Sequence, residues 1–261
     1  MSAIRRAFGN CRYGQLHYAS AGQGGTPLVC FHQSPISGAQ YAPFQRAMSE
    51  DRQVLCPDTP GFGGSDAPLQ VPLIADYAAA MADWLDGMKL RSVDALGFHT
   101  GTLIAMELAI LRPDLVRRLS LTSLALFSDA ERERNRIIFG NPRPLFDDPD
   151  YLGRYYKEQV TEADRAIPDK RRLELFTERM RAGSNSWWGP AAVFAYDTAA
   201  RAKLVTQQTL LLVMRDTLAD ATRRATQLFP RNKVVERLDL HGPTAWDSHP
   251  VDIATEVRRW L

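Results

Sequence analysis

Short apolar or β-branched runs alternate along the chain with stretches whose apolar residues recur at helical spacing. That alternation is the signature of a parallel sheet covered by helices. "QLHYAS" (15–20) alternates polar and apolar residues and predicts an early strand, one that antiparallel pairing would suit. "PLVCF" (27–31) and "QVLCP" (53–57) are continuous apolar runs, as expected of strands buried on both faces. A helical stretch around 41–48 lies between them. "IADYAAAMADWL" (74–85) has apolar residues at helical spacing, with Asp76 near its start to favour the helix dipole. "SVDALG" (92–97) predicts a strand, Thr100–Leu111 a helix closed by Arg112-Pro113, and "LVRRLSLTSLAL" (115–126) the next strand.

The rhythm then changes. Residues 128–200 are dense in charge and aromatics ("ERERNR", "YLGRYYKE", "NSWWGP") and contain no convincing strand. They predict a helical lid inserted into a single-domain core made of residues 1–127 and 201–261. The alternation resumes with "QTLLLVM" (208–214), a helix near 220–229, "KVVERL" (233–238), a loop holding His241, and a final helix to Leu261.

Composition adds bounds rather than a function. At 261 residues the chain suits one domain with a full core. Hydrophobic residues at 45% and charged residues at 24% are ordinary for a globular protein. A net charge of +2 gives no electrostatic case for nucleic acid or an anionic membrane. The opening "MSAIRRAFGN" shows no secretory signal, and no run is long enough to span a bilayer. Cys11, Cys30 and Cys56 form no CxxC pair and read as reduced thiols, two of them in buried strands. The expectation is a cytoplasmic protein whose partner is a small organic molecule, with a homodimer left open.

Four features, in order, carry a resemblance. The strand at 27–31 enters a His-containing loop, Phe31-His32-Gln33-Ser34-Pro35. "PDTPGFGGSD" (57–66) follows. Gly97-Phe98-His99-Thr100-Gly101 has the Gly-x-nucleophile-x-Gly spacing at a strand-to-helix turn. His241-Gly242 comes late. Together they resemble the α/β-hydrolase fold family, with histidine where its nucleophilic serine is expected. The resemblance implies an α/β-hydrolase fold, a mostly parallel sheet flanked by helices. It also implies an oxyanion hole from the amide of Thr100 and one in the earlier loop, here Gln33. His241 would stand as the catalytic histidine, oriented by an acid in "RDTLAD". Asp216 is nearer the strand end than Asp220, and Asp129 is an alternative position. His32 would be structural, and Asp58 would stabilise its own glycine-rich loop.

The chemistry of His99 stays open between three uses. A neutral imidazole can attack a carbonyl and form an acyl intermediate. It can form an acid–base pair with His241, since two nearby imidazoles discourage double protonation. It can join His32 and His241 as a zinc-type ligand set, although no metal or other cofactor is expected. The resulting expectation is a cofactor-independent hydrolase acting on an ester, thioester or carbon–carbon bond of a small carbonyl compound. A lyase or isomerase with His99/His241 acid–base chemistry is the runner-up, and a ligand-binding protein that lost catalysis is the third reading. His32, Ser34, Phe98, Trp187 and Trp188 are candidate substrate contacts, with Phe194 and Tyr196 equally able to glue the lid to the core. His17 reads as a strand-surface residue and His249 as the start of the last helix.

Overall fold

The computed structural model describes residues 3–144 and 147–261. Among them, eight strands form one sheet in the order β1-β2-β4-β3-β5-β6-β7-β8. They are β1 (Arg5–Cys11), β2 (Gly14–Ala21), β3 (Leu28–Phe31), β4 (Val54–Pro57), β5 (Val93–Phe98), β6 (Val116–Thr122), β7 (Gln208–Arg215) and β8 (Asn232–His241). The β1/β2 and β2/β4 pairings are antiparallel and all others are parallel.

The helices are α1 (Ala42–Met48), α2 (Ile74–Gly87), α3 (Thr100–Leu111), α4 (Asp129–Phe139), α5 (Tyr151–Tyr156), α6 (Asp169–Met180), α7 (Trp188–Phe194), α8 (Thr198–Ala202), α9 (Ala219–Ala225), α10 (Gly242–Ser248) and α11 (Pro250–Trp260). Because successive strand residues face opposite ways, the unbroken apolar runs feed two cores. Val29, Phe31, Val93 and Ala95 pack with α2 and α3 on one face. Leu28, Cys30, Leu96 and Phe98 pack with α1, α10 and α11 on the other. This is the mostly parallel sheet, covered on both faces by helices, that the alternating pattern predicts. Helices α4 to α8 fill the chain between β6 and β7, and no described residue of that segment is in a strand.

Three expectations need correction. The first strand is β1, whose "RRAFGNC" lacks a strong apolar alternation because it is an edge strand paired to β2 alone. β6 stops at Thr122, where Ser123 takes a left-handed turn (φ 58°), rather than continuing to residue 126. β8 runs on to His241, which directly precedes α10, so no loop holds that histidine. Among the described residues, no helix is long and apolar enough to cross a membrane.

Candidate active site

The turn between β5 and α3 is built from close backbone approach. His99 sits at φ 50° and ψ −120°, a conformation that costs a side-chain-bearing residue about 1–3 kcal/mol and persists only where the surroundings enforce it. The enforcement comes from two glycines. A Cβ on Gly101 would collide with the Phe31 carbonyl oxygen, and one on Gly97 with the Gly101 carbonyl. Backbone hydrogen bonds close the turn: His99 N–H donates to Thr122 O (3.3 Å), and His99 O accepts from the N–H (2.9 Å) and hydroxyl (2.6 Å) of Thr102. Thr100 opens α3, so its amide is among the N–H groups that a helix leaves without an internal partner, at the positive end of the dipole.

His99 faces Asp216. Nε2 of the buried side of the ring lies 3.8 Å from Asp216 Oδ2, while the His99 side chain as a whole is 27% exposed. At that distance the contact is an ion pair when the ring is protonated and too long for a good hydrogen bond. Asp216 follows the end of β7. Its Oδ1 accepts from the Leu218 amide (2.8 Å), and its Oδ2 from the Ser123 hydroxyl, which projects from the turn after β6. Burial pushes the Asp216 carboxyl up, but the facing His99 ring, the Ser123 hydroxyl and the Leu218 amide outweigh it and hold it below the ordinary carboxylate range. Three strand ends therefore converge on one carboxylate, at the C-terminal edge of a parallel sheet where open α/β proteins place their ligands.

His241 stands apart from this pair. It is exposed, and its Nδ1 lies 3.3 Å from the Thr244 hydroxyl. The residue after it, Gly242, passes so close to Asp216 that a Cβ there would lie 2.7 Å from the Asp216 Cβ. Asp216 thus pairs with His99, not with His241.

Several other candidates fall elsewhere. His32 is 1% exposed; its Nε2 accepts from the Thr59 amide (2.9 Å), so Nδ1 carries the proton and donates to Gln33 O (2.7 Å). Both ring nitrogens are thus engaged, burial pulls its pKa down, and no cluster of metal-ligating side chains forms around it among the described residues. The Gln33 amide is likewise engaged, donating to Gln40 Oε1 (3.2 Å). The Ser34 amide has no protein acceptor among the described residues. Phe98 is fully buried, meets Trp246 edge-on at 5.4 Å, and belongs to the core cluster with it. Trp188 packs its ring on Gly61 (3.3 Å to a Cβ there), and Trp187 is half-buried. Tyr196 donates to Glu107 Oε2 (2.6 Å) and Phe194 packs on Phe127, which glues that part of the segment to the core. Asp220 and Asp129 pair with Arg223 and Arg132 on their own helices. His249 precedes α11, as expected.

Asp58 does bind its loop: Oδ1 accepts from Gly38 N–H (2.9 Å) and Oδ2 from Gly64 N–H (2.8 Å). His17 is not a free surface residue, because its Nδ1 meets Asp58 Oδ2 at 2.8 Å. Ser123 was not foreseen; it lies inside the apolar run "LTSLAL", and only the turn exposes its role.

A cavity of about 360 Å³ is lined by Gln33, Ser34 and Ile36 of the early loop, by Thr244 of α10, and by Tyr155 and Arg179 of the helical segment, while His99, Thr100, Asp216 and His241 are not among its lining residues. A second, of about 490 Å³, shares Pro35, Tyr155 and Arg179 and extends towards Phe139 and Arg143. Neither Trp187 nor Trp188 lines them. Helix α6 is fastened to the loop below by the Ser37 hydroxyl on Glu178 (2.6 Å) and by Arg171 on Ala39 O (2.8 Å) and Asp247 (2.7 Å).

With this geometry in place, residues 26–205 match the model of the alpha/beta hydrolase fold family, and the chain belongs to that family. It is 33% identical over 135 residues to a 2-hydroxymuconate semialdehyde hydrolase from a Pseudomonas species, covering 49% of this chain and 46% of that protein. It is 29% identical over 122 residues to an (E)-2-((N-methylformamido)methylene)succinate hydrolase from Acinetobacter baylyi, covering 47% and 46%. The matches therefore span about half the length of these curated relatives. The crystal structure of an enol-lactonase from Burkholderia xenovorans superposes with a TM-score of 0.79 at 18% identity, covering 98% of this chain and 99% of the other. At that identity the likeness is one of fold.

Proposed function

We propose that the chain hydrolyses an ester, thioester or carbon–carbon bond of a small carbonyl compound, with His99 as the proton-transfer group at the nucleophile position. The observation that carries this reading is the pairing of His99 Nε2 with Asp216 at 3.8 Å. A carboxylate on that side favours the tautomer with the proton on Nε2 and leaves the Nδ1 lone pair for chemistry. Acylation at Nδ1 would crowd the residue's own Cβ, so general-base activation of water suits the geometry better than covalent attack.

In the proposed step, water adds to the carbonyl carbon while its proton passes to His99 Nδ1, and Asp216 stabilises the imidazolium. The Thr100 and Ser34 amides hold the oxyanion, which backbone donors can do whatever side chain occupies position 99. On collapse the leaving group departs and takes up a proton from the imidazolium. His241, exposed beside Asp216 through Gly242, is the proposed second proton donor at the leaving-group side. The helical segment 128–200 is the proposed lid, covering the cavity above Ser34.

The relatives support the class of reaction, since those named act as hydrolases of small molecules. His99→Ala should lower kcat on an activated ester by roughly 10²–10⁴-fold with KM changed only a few-fold. Asp216→Asn should lower it by about a hundredfold. An acyl adduct on His99 in a quenched reaction would overturn the base reading in favour of attack, and wild-type kcat in His99→Ala would remove His99 from the chemistry.

A further inference from the structure

Helix α6 carries three arginines, with a fourth just past its end, and their partners differ. Arg171 pairs with Asp247 and Glu174, and Arg172 with Asp169. Arg181, just past the helix end, pairs with Glu178. Arg179 makes no ion pair and no hydrogen bond among the described residues, yet it stands in the wall shared by both cavities. A guanidinium cannot shed its charge, and Arg179, half-buried with no protein anion paired to it, keeps its N–H groups free for an anion that enters the cavity. Burial is the largest influence on its proton affinity and acts to lower it, and the nearby charges of Tyr155, Asp247 and Glu158 do not offset this. Tyr155, in the same shared wall, has a hydroxyl with no hydrogen-bond partner among the described residues, and burial pushes its pKa up, which keeps it a donor.

We propose that Arg179, with Tyr155, is a carboxylate-binding subsite, so that the substrate is a carbonyl compound bearing a free acid group. A planar guanidinium matches a carboxylate with two parallel N–H···O bonds. A monoanion suits the wall better than a dianion such as phosphate, because Glu158 and Asp164 also line the cavity. Ser34 lines the same cavity as Arg179 and Tyr155, so on this reading the acid end of a bound molecule is held at the guanidinium while its carbonyl is directed past the Ser34 loop towards the turn at His99. This assignment rests on the reading of that cavity as the substrate site, and its test separates the two.

The probe is 4-oxo-4-phenylbutanoate, a ketone that is not an ester, compared with its neutral methyl ester in equilibrium binding measurements. Wild-type protein should bind the acid about tenfold or more tightly than the ester, as expected for charge-assisted hydrogen bonds to one guanidinium. Arg179→Met and Arg179→Gln should each collapse that ratio to near one, and Arg179→Lys should keep part of it. The same ratio should persist in His99→Ala, whose turnover is a separate readout: loss of the ratio there with turnover intact, or equal binding of acid and ester by wild type, overturns the subsite. So does a ratio that survives Arg179→Met, or no measurable binding of the acid. The wild-type comparison can overturn the assignment alone, so a variant that fails to fold does not shield it. Turnover of 4-nitrophenyl hydrogen succinate against 4-nitrophenyl pentanoate gives the kinetic counterpart. Arg179→Met should lower the acid-to-neutral ratio of kcat/KM about tenfold or more, mostly through KM.

Discussion

In the site proposed above, the strand-to-helix turn at His99 is the lower wall and the helical segment between β6 and β7 the upper, and the two are built in opposite ways. Below, residues 100–109 of α3 are all buried, and Gly97 and Gly101 leave no room even for a methyl group. Above, α4 buries none of its residues and α5 none of its own. The lower wall holds its atoms through backbone contacts that tolerate no displacement. The upper wall offers long side chains, Glu158, Gln159 and Tyr155 from the lightly packed stretch around α5 and Arg179 from the fastened helix α6. If the proposed function holds, the difference separates two tasks: placing the reacting atoms, and recognising what is brought to them.

The sharpest way to break this comparison is to add one methyl group to each wall. Gly101→Ala forces a Cβ onto the Phe31 carbonyl of a central strand that cannot yield. It should cost roughly 4 kcal/mol or abolish folding, as read by denaturant unfolding; a near-native midpoint would refute the rigid-wall account. Next in size is Asp58→Asn, which removes a buried charge from His17 and sets an amide group against the Gly38 or Gly64 N–H. The expected loss is about 3 kcal/mol. Burial raises the Asp58 carboxyl, but His17 and the Gly64 amide outweigh it and hold it below its ordinary value. Its contribution is therefore complete above about pH 4 and is lost as pH falls through the lowered folded value. Asp58→Asn should flatten the stability curve in that acid window, and an unchanged curve would count against the pair. The smallest effect belongs to the upper wall. Gly153, inside α5, has open space where a Cβ would go, so Gly153→Ala should raise stability by about 0.5–1 kcal/mol at most.

The same division governs what could be read from the sequence. Buried parallel strands such as "LVCF" and "VLCP" announce themselves because both faces must be apolar. The edge strand β1 does not, since only its pairing to β2 defines it. The turn at His99 was readable because glycine spacing encodes a backbone requirement. The partner of Asp216 was not. Whether that carboxylate meets His99 or His241 depends on a register shift between Met214 and Arg215 and on β8 continuing to His241. Gln33 shows the same limit: its position in the loop suggests a free amide, and the side chain of Gln40, seven residues on, removes it. Ser123 carries no motif of its own; a serine in an apolar run becomes informative only when β6 ends before it.

The hydrogen bonds that close the turn at position 99 come from its own N–H and C=O and from Thr122 and Thr102, and none from the imidazole. The turn is thus an address written in main chain, independent of its occupant. His99→Ser should fold on the same frame and present a hydroxyl at the same point, with Asp216 beneath it and His241 beyond. The main chain thus sets where a side chain is presented, and a single residue sets which functional group stands there.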